Sequence, residues 1–557
     1  MQKYTIVGLM KFYKIFGGRI MKELKFEELS IKQKIGMVTC GLVGTNHTDE
    51  GDEFVLNLIK EHALGSVWVN PKAHHFDEIM AKIKQAADYP ILIFTDAESG
   101  LGDFTIGKHN ALGMADSEEL AYTFGKVTAI NAVKMGYNVV CNPILDVVSK
   151  AAVAGANIRS MGSDKYRIAA LGKAMAKGMH DGGVLTVGKH YPSASEKTRT
   201  HGRAIDSHMA ETMSYETKEQ LIDKSLYAYR ELMKEGLLDG IMTGHCRLPN
   251  IDDEYPTSLS KKVIGIIREL GFDGFAITDA LSMMGVVAKF GWEDSKGLSV
   301  ENGNDIALIW DPGNIKGFNA MYNSYEKGVL SEERINEATK IVLAAQHKIF
   351  EMQPKFNEIT AEDKALFDKI NTDSVFARVD EGLPTGISKD GRHYFVILTS
   401  NETDIRQDGK VEVDTFNGGW HGGWYNPKGI MEKLKELFPN SESRAIRAFP
   451  TGYEIQCTLE QTLGYDDIIF ISYFDAQAYI GKEAHTPRII SMIDALQVDN
   501  RVSTVVHFGS PYVLEDFVHI PRIIIGGSSL MGIDAAFNVL AGNYPAKGKL
   551  TYDVKFE

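Results

Sequence analysis

The chain has 557 residues, 44% apolar and 24% charged, with a formal net charge of −14 and a pI near 5.7. That length exceeds one ordinary core and predicts two domains, one of them large enough to be a barrel. The acidic balance argues against nucleic acid as a partner, since phosphate binding needs a basic face.

Residues 1–21 hold lysines at positions 3, 11 and 14 and only short apolar runs. They read as an extension outside the fold rather than as a secretory signal. No run approaches the length of a membrane helix, and the expected location is the cytoplasm. From there, apolar strand-like runs alternate with helical patterns: 36–39, 65–69, 91–94, 137–141, 184–187, 240–242, 275–277 and 306–309. Segments 117–134 and 218–235 are examples of the helices between them. Eight such units over residues 22–350 predict an α/β architecture, a (β/α)8 TIM-like barrel. Residues 351–389 read as a polar connector with one helix. A second set of runs, 393–399, 468–472, 504–508 and 522–525, predicts a smaller three-layer α/β sandwich domain over 390–557.

Polar groups gather behind the barrel runs. Asp96 follows 91–94, Asp146 follows 137–141, Lys189 and His190 follow 184–187, His245 follows 240–242, and Asp279 ends 275–277. The carboxyl ends of barrel strands are where such enzymes hold catalytic groups. Elsewhere plainer readings prevail. Cys40, Cys141, Cys246 and Cys457 lack CxxC spacing and read as small buried hydrophobes in a reducing compartment. His74 and His75 read as a solvated pair. The 526–529 turn, Gly-Gly-Ser-Ser, reads as a strand-to-helix turn rather than an anion site. The aromatic 420–425 cluster suits a sugar contact or packing at a domain junction equally.

Five segments together resemble family 3 of the glycoside hydrolases, in its β-N-acetylglucosaminidase branch and as a two-domain member. Lys189-His190-Tyr191-Pro192 resembles the family's Lys-His-Phe-Pro, and 271–283 resembles its nucleophile strand. Residues 159–164 resemble its Arg-Ser-Phe-Gly-Ser-Asp, and 142–146 its Ala-Pro-Val-Leu-Asp. Asp206-Ser207-His208 matches the Asp-Ser-His that marks the branch. Two departures stand out. The loop 193–203 is longer than the family's, and the Asp-Gln-Glu-Gly-Gly-Arg segment here ends Ser99-Gly100-Leu101, keeping Asp96 but losing the arginine.

The resemblance implies a retaining, exo-acting β-glycosidase acting on a terminal β-linked sugar. Asp279 would be the nucleophile, and His208 the acid and then the base, held by Asp206. Without the wider pattern, Asp279 would pass for a helix cap and the Asp-x-His pair for a solvated loop. Asp96, Arg159, Lys189 and His190 would bind sugar hydroxyls. His245 reads as a lining residue or a structural one in equal measure, and Asp146 as structural. This chemistry calls for no metal and no cofactor. The alternatives are a β-glucosidase-type enzyme whose acid is a glutamate of the C-terminal domain, such as Glu483, and a carbohydrate-binding relative without activity. A neutral histidine base, with Arg199 and Arg203 in the longer loop, also predicts that phosphate competes with water as acceptor, a phosphorylase side activity.

Overall fold

The computed structural model describes residues 15–16, 19–44, 49–149, 158–193, 197–198, 206–310, 314–399, 402–405, 411–414, 427–474, 484–498 and 500–556. By contacts the chain forms two compact units, one of residues 1–104, 121–147 and 165–363, the other of 105–120, 148–164 and 364–557.

Eight strands make the sheet of the first unit: β1 Thr39–Val43, β2 Ser66–Val69, β3 Leu92–Thr95, β4 Val139–Val140, β5 Leu185–Tyr191, β6 Gly240–Thr243, β7 Phe275–Thr278 and β8 Ala307–Leu308. Their spatial order is β7-β6-β5-β4-β3-β2-β1-β8, with every paired ladder parallel. A parallel bridge between Ile277 and Ile306 joins the two ends, so the sheet wraps into a (β/α)8 barrel. The runs read from the sequence fall on these strands, with one shift. Residues 31–37 are helical, started by a capping box between Ser30 and Gln33, and the strand begins only at Thr39. Helix end and strand share one apolar stretch, and periodicity cannot divide it.

The barrel interior is filled by Leu42, Phe94, Val139, Leu185, Val187, Met242, Phe275, Ile277 and Leu308, all buried. At the amino ends of the strands, buried carboxylates tie the wall together. Asp305 accepts from Arg268 and Arg334, each at 2.7 Å, and from the Ala276 N–H at 2.8 Å. Two guanidinium groups and a backbone donor offset the cost of removing that charge from water. Cys40, Cys141 and Cys246 are buried and Cys457 only partly so, and burial pushes the Cys40 thiol up to about 12, as suits an inert core residue.

The second unit holds six strands: β9 Phe376–Val379, β10 His393–Thr399, β11 Glu442–Arg447, β12 Asp467–Phe474, β13 Val502–Gly509 and β14 Arg522–Gly526. Their order is β9-β14-β13-β12-β10-β11, parallel except for the β9–β14 pair. Two apolar clusters lie on opposite faces. One includes Val396, Phe470, Val505 and Ile523, the other Phe395, Ile471, Val506 and Ile524. Alternate residues of the same strands thus face opposite helical layers, which makes a three-layer sandwich. Ser529 caps the helix Leu530–Leu540 by accepting from the Gly532 N–H at 3.0 Å, so the 526–529 turn is an ordinary helix start.

Candidate active site at the carboxyl ends of the barrel strands

Asp279 directly follows β7. Its backbone N–H donates to the Thr243 carbonyl at the end of β6 at 2.9 Å, and the Ala280 N–H donates to its Oδ1 at 2.7 Å. Burial pushes this carboxyl up, but the charges of His190, His245 and His208 and the Ala280 N–H outweigh it and hold the group down to about 2. An aspartate in that setting stays ionised throughout the neutral range.

His245, just past β6, is buried, with both ring nitrogens occupied by the protein. Nε2–H donates to the Ala280 carbonyl at 3.0 Å, so Nδ1 accepts from the Ser258 hydroxyl at 2.8 Å. Burial lowers its proton affinity and the Asp279 charge opposes that. The ring therefore braces the turn that carries Asp279 and has no ring nitrogen left for a sugar.

Asp206 and His208 lie on the segment between β5 and β6. The Asp206 carboxylate is buried and accepts from the His208 ring Nδ1–H at 2.7 Å. The segment is seated on the helix Met284–Phe290, which follows the Asp279 turn. Gly285 N–H donates to the Ser207 carbonyl at 2.9 Å and Met284 N–H to that of His208 at 3.2 Å. A β-carbon on Gly285 would stand 2.9 Å from the Ser207 oxygen, so only glycine permits this seat. Lys197–Thr198 pairs antiparallel with Thr212–Ser214, which pairs parallel with Cys246–Leu248 past β6. Both flanks of the dyad are thereby tied to one small sheet. Residues 194–196 and 199–203 of the longer loop, Arg199 and Arg203 among them, lie outside the described residues, as do Glu483 and the 420–425 cluster.

Lys189 and His190 are strand residues, near the end of β5. The Lys189 side chain is 1% exposed and its ammonium pairs with Asp96 and, at 2.6 Å, with Glu98. Such a cation tolerates burial only with partners of this kind. Between the two carboxylates, Ala97 takes a left-handed backbone conformation with φ 45°. That conformation is costly for alanine. The turn is fixed by the Asn142 amide, which donates to the Ala97 carbonyl at 3.0 Å, and by the Gly100 N–H at the same distance. His190 donates through Nδ1–H to Asp146 Oδ2 at 2.8 Å.

The barrel thus carries Asp96, Lys189, His190, Asp206, His208, His245 and Asp279 at the carboxyl ends of its strands and on the segment between β5 and β6. It adds two residues that the sequence reading left aside. Asp146 orients His190, and Glu98 completes the Lys189 pair. Arg159 belongs to the second compact unit and is half-buried there. Among the described residues no group of three or more His, Cys, Asp or Glu could hold a metal ion, and no helix is long and apolar enough to cross a membrane.

Comparison with known proteins extends this picture. The model of the glycosyl hydrolase family 3 N terminal domain matches residues 30–345. A curated beta-hexosaminidase of Tolumonas auensis is 27% identical over 266 residues, spanning 45% of this chain and 77% of the relative. Beta-hexosaminidase LpqI of Mycobacterium tuberculosis is 32% identical over 183 residues, 31% of this chain and 45% of its own length. Of solved structures, a glycoside hydrolase family 3 beta-N-acetylglucosaminidase from Paenibacillus sp. str. FPU-7 superposes with a TM-score of 0.76 at 22% identity, covering 95% of this chain and 100% of that one. Beta-glucoside phosphorylase BglX follows at 0.75 and 22% identity, covering 95% of each chain. At such identity the structures establish the fold that all three share. The family's own domain accounts for more than half of the sequence, including every barrel residue of the site, and the protein belongs to glycosyl hydrolase family 3, the glycoside hydrolases.

Proposed function

We propose that this chain is a retaining, exo-acting β-N-acetylglucosaminidase. Asp279 attacks the anomeric carbon and forms a glycosyl ester. His208 gives its Nε2 proton to the departing oxygen and later takes a proton from the incoming water. Asp206 stabilises the imidazolium form through the Nδ1–H bond. Asp96, Lys189 and His190 bind sugar hydroxyls. The observation that carries this reading is the bond from His208 Nδ1 to the buried Asp206 carboxylate at 2.7 Å, with the same imidazole near enough to lower the Asp279 carboxyl. The names of the curated relatives, beta-hexosaminidases at 27% and 32% identity, favour the 2-acetamido sugar. Release assays on aryl β-glycosides with and without the 2-acetamido group test it. Preference for the 2-hydroxy sugars would replace this reading with a β-glucosidase-type enzyme.

A histidine base favours phosphate as a second acceptor. Neutral after giving up its proton, it repels the anion less than a carboxylate would at the same place. The glycosyl-Asp279 ester would then yield some sugar 1-phosphate beside free sugar. Product analysis in concentrated phosphate decides this, and free sugar alone would restrict the activity to hydrolysis.

A further inference from the structure

We propose that Met209 and Met284 form an apolar shelf beside the acid that receives the leaving group, and that this subsite takes an aromatic or alkyl aglycone. The inference rests on His208 being the proton donor. Met209 is 49% exposed and Met284 43%, although their neighbours Leu281 and Met283 are fully covered at 0% and 2%. Met209 follows His208 in the chain, and Met284 N–H donates to the His208 carbonyl at 3.2 Å. Two exposed methionines therefore meet at the His208 backbone, one next to it in the chain and one hydrogen-bonded to its carbonyl.

A single exposed apolar side chain needs no explanation. A pair at this place has one. The atom that His208 protonates is bonded both to the sugar and to the aglycone, so the first atoms of the aglycone come within reach of the groups beside His208. The sugar end of the site is charged: Lys189 is enclosed by Asp96 and Glu98, and His190 is bound to Asp146. The two exposed residues next to the proposed acid are instead long, unbranched thioethers. Methionine adapts its shape to what it meets and makes favourable sulfur contacts with aromatic rings, so the shelf suits flat or flexible apolar groups rather than a hydroxyl-lined one.

The test uses the full chain and 4-methylphenyl and 4-hexylphenyl β-N-acetylglucosaminides, whose leaving groups are nearly equal in acidity. Wild-type enzyme is expected to favour the hexyl compound by about tenfold in kcat/KM, as burial of part of a hexyl chain allows. Met209→Gln with Met284→Gln should remove most of that advantage, and Met209→Leu with Met284→Leu should keep it. A wild-type ratio near one, or a ratio unmoved by the glutamines, overturns the shelf. Binding of the corresponding 1-thioglycoside, followed by NMR of methyl-labelled methionine, reads the contact without turnover. The Met209 and Met284 methyl signals should shift with the hexyl compound. Unmoved signals, or signals that follow enzyme concentration instead of ligand, overturn the proposal even if the enzyme is active. Cleavage of neither glycoside alongside shifted methyls would overturn the assigned sugar and leave the shelf standing.

Discussion

Asp206 accepts two hydrogen bonds from His208, one from the backbone N–H at 2.9 Å and one from the ring Nδ1–H at 2.7 Å. The first fixes the turn and the second fixes the tautomer. With the Nδ1 proton committed to a buried carboxylate, Nε2 is the nitrogen that would exchange a proton in the proposed mechanism.

Replacing Asp206 with alanine should therefore damage proton delivery more than the fold. For glycosides with poor leaving groups, kcat/KM is expected to fall by about a hundred- to ten-thousand-fold, the usual worth of general acid catalysis. For dinitrophenyl glycosides, which leave without a proton, the loss should be far smaller. Equal losses on both would show that Asp206 acts by holding the segment together and not through the imidazole.

Histidine charge holds down the Asp279 carboxyl. Burial alone would raise the Asp279 carboxyl, and His190 is the largest of the charges that bring it down to about 2. His190→Ala removes that charge and leaves Asp146 without its ring partner, so the carboxyl should rise toward or above the ordinary value of about 4. Formation of the glycosyl-enzyme from an activated substrate, which needs no acid, should be flat from about pH 6 to 4 in the wild type. In the variant it should already decline below about pH 5. Superimposable profiles would remove His190 from this role.

Glu98 supplies half of the Lys189 clamp. Glu98→Gln should raise KM by about tenfold, the worth of a charge-assisted hydrogen bond, with a smaller effect on kcat, and Glu98→Asp should recover part of the loss. An unchanged KM would mean that Asp96 alone keeps Lys189 in place.

What the sequence disclosed follows from what local pattern can carry. The barrel was legible because apolar runs recur at βα spacing, and Asp279 because its motif spans a whole strand and turn. The edges of the second sheet were not. In β11, Glu442, Arg444 and Arg447 interrupt the apolar pattern, as suits an edge strand facing water, and the short β9 falls in what reads as a polar connector. Glu98 and the partner that Asp146, read as structural, takes in His190 were out of reach for a different reason. Each carboxylate gains its role from a partner on β5, in chain positions some ninety and forty residues away, which no local pattern encodes. The direction of the His245 ring toward Ala280 and Ser258 was equally out of reach, since a strand-end rule locates a residue but does not orient it.

The second unit contains its own pH sensor of stability. Ser472 Oγ lies between His485 Nε2 at 2.9 Å and His507 Nδ1 at 3.0 Å, and the His507 Nε2–H donates to the Ser510 carbonyl at 2.8 Å. Burial lowers His507 to about 4, against the pull of that carbonyl. The unfolded chain takes up this proton near pH 6.5, so stability is complete above that value. It drains as pH falls toward about 4, where the folded state binds the proton too. The loss over that window is roughly 3 kcal/mol. Hydrogen exchange across β12 and β13, corrected for its intrinsic pH dependence, should show protection falling in that window and much less so in His507→Gln. Protection that stays constant from pH 7 to 4 would contradict it.

The central claim is that Asp279 carries the sugar and His208 carries the proton. In His208→Ala, a dinitrophenyl β-N-acetylglucosaminide should still load the enzyme, while the loss of the base slows hydrolysis of the ester. Quenching that reaction and mapping the peptides by mass spectrometry reads the intermediate directly. An N-acetylhexosamine adduct is expected on the peptide containing Asp279, absent in the His208→Ala, Asp279→Asn double variant. An adduct on another carboxylate, or a burst of phenol with no covalent sugar anywhere, would contradict it.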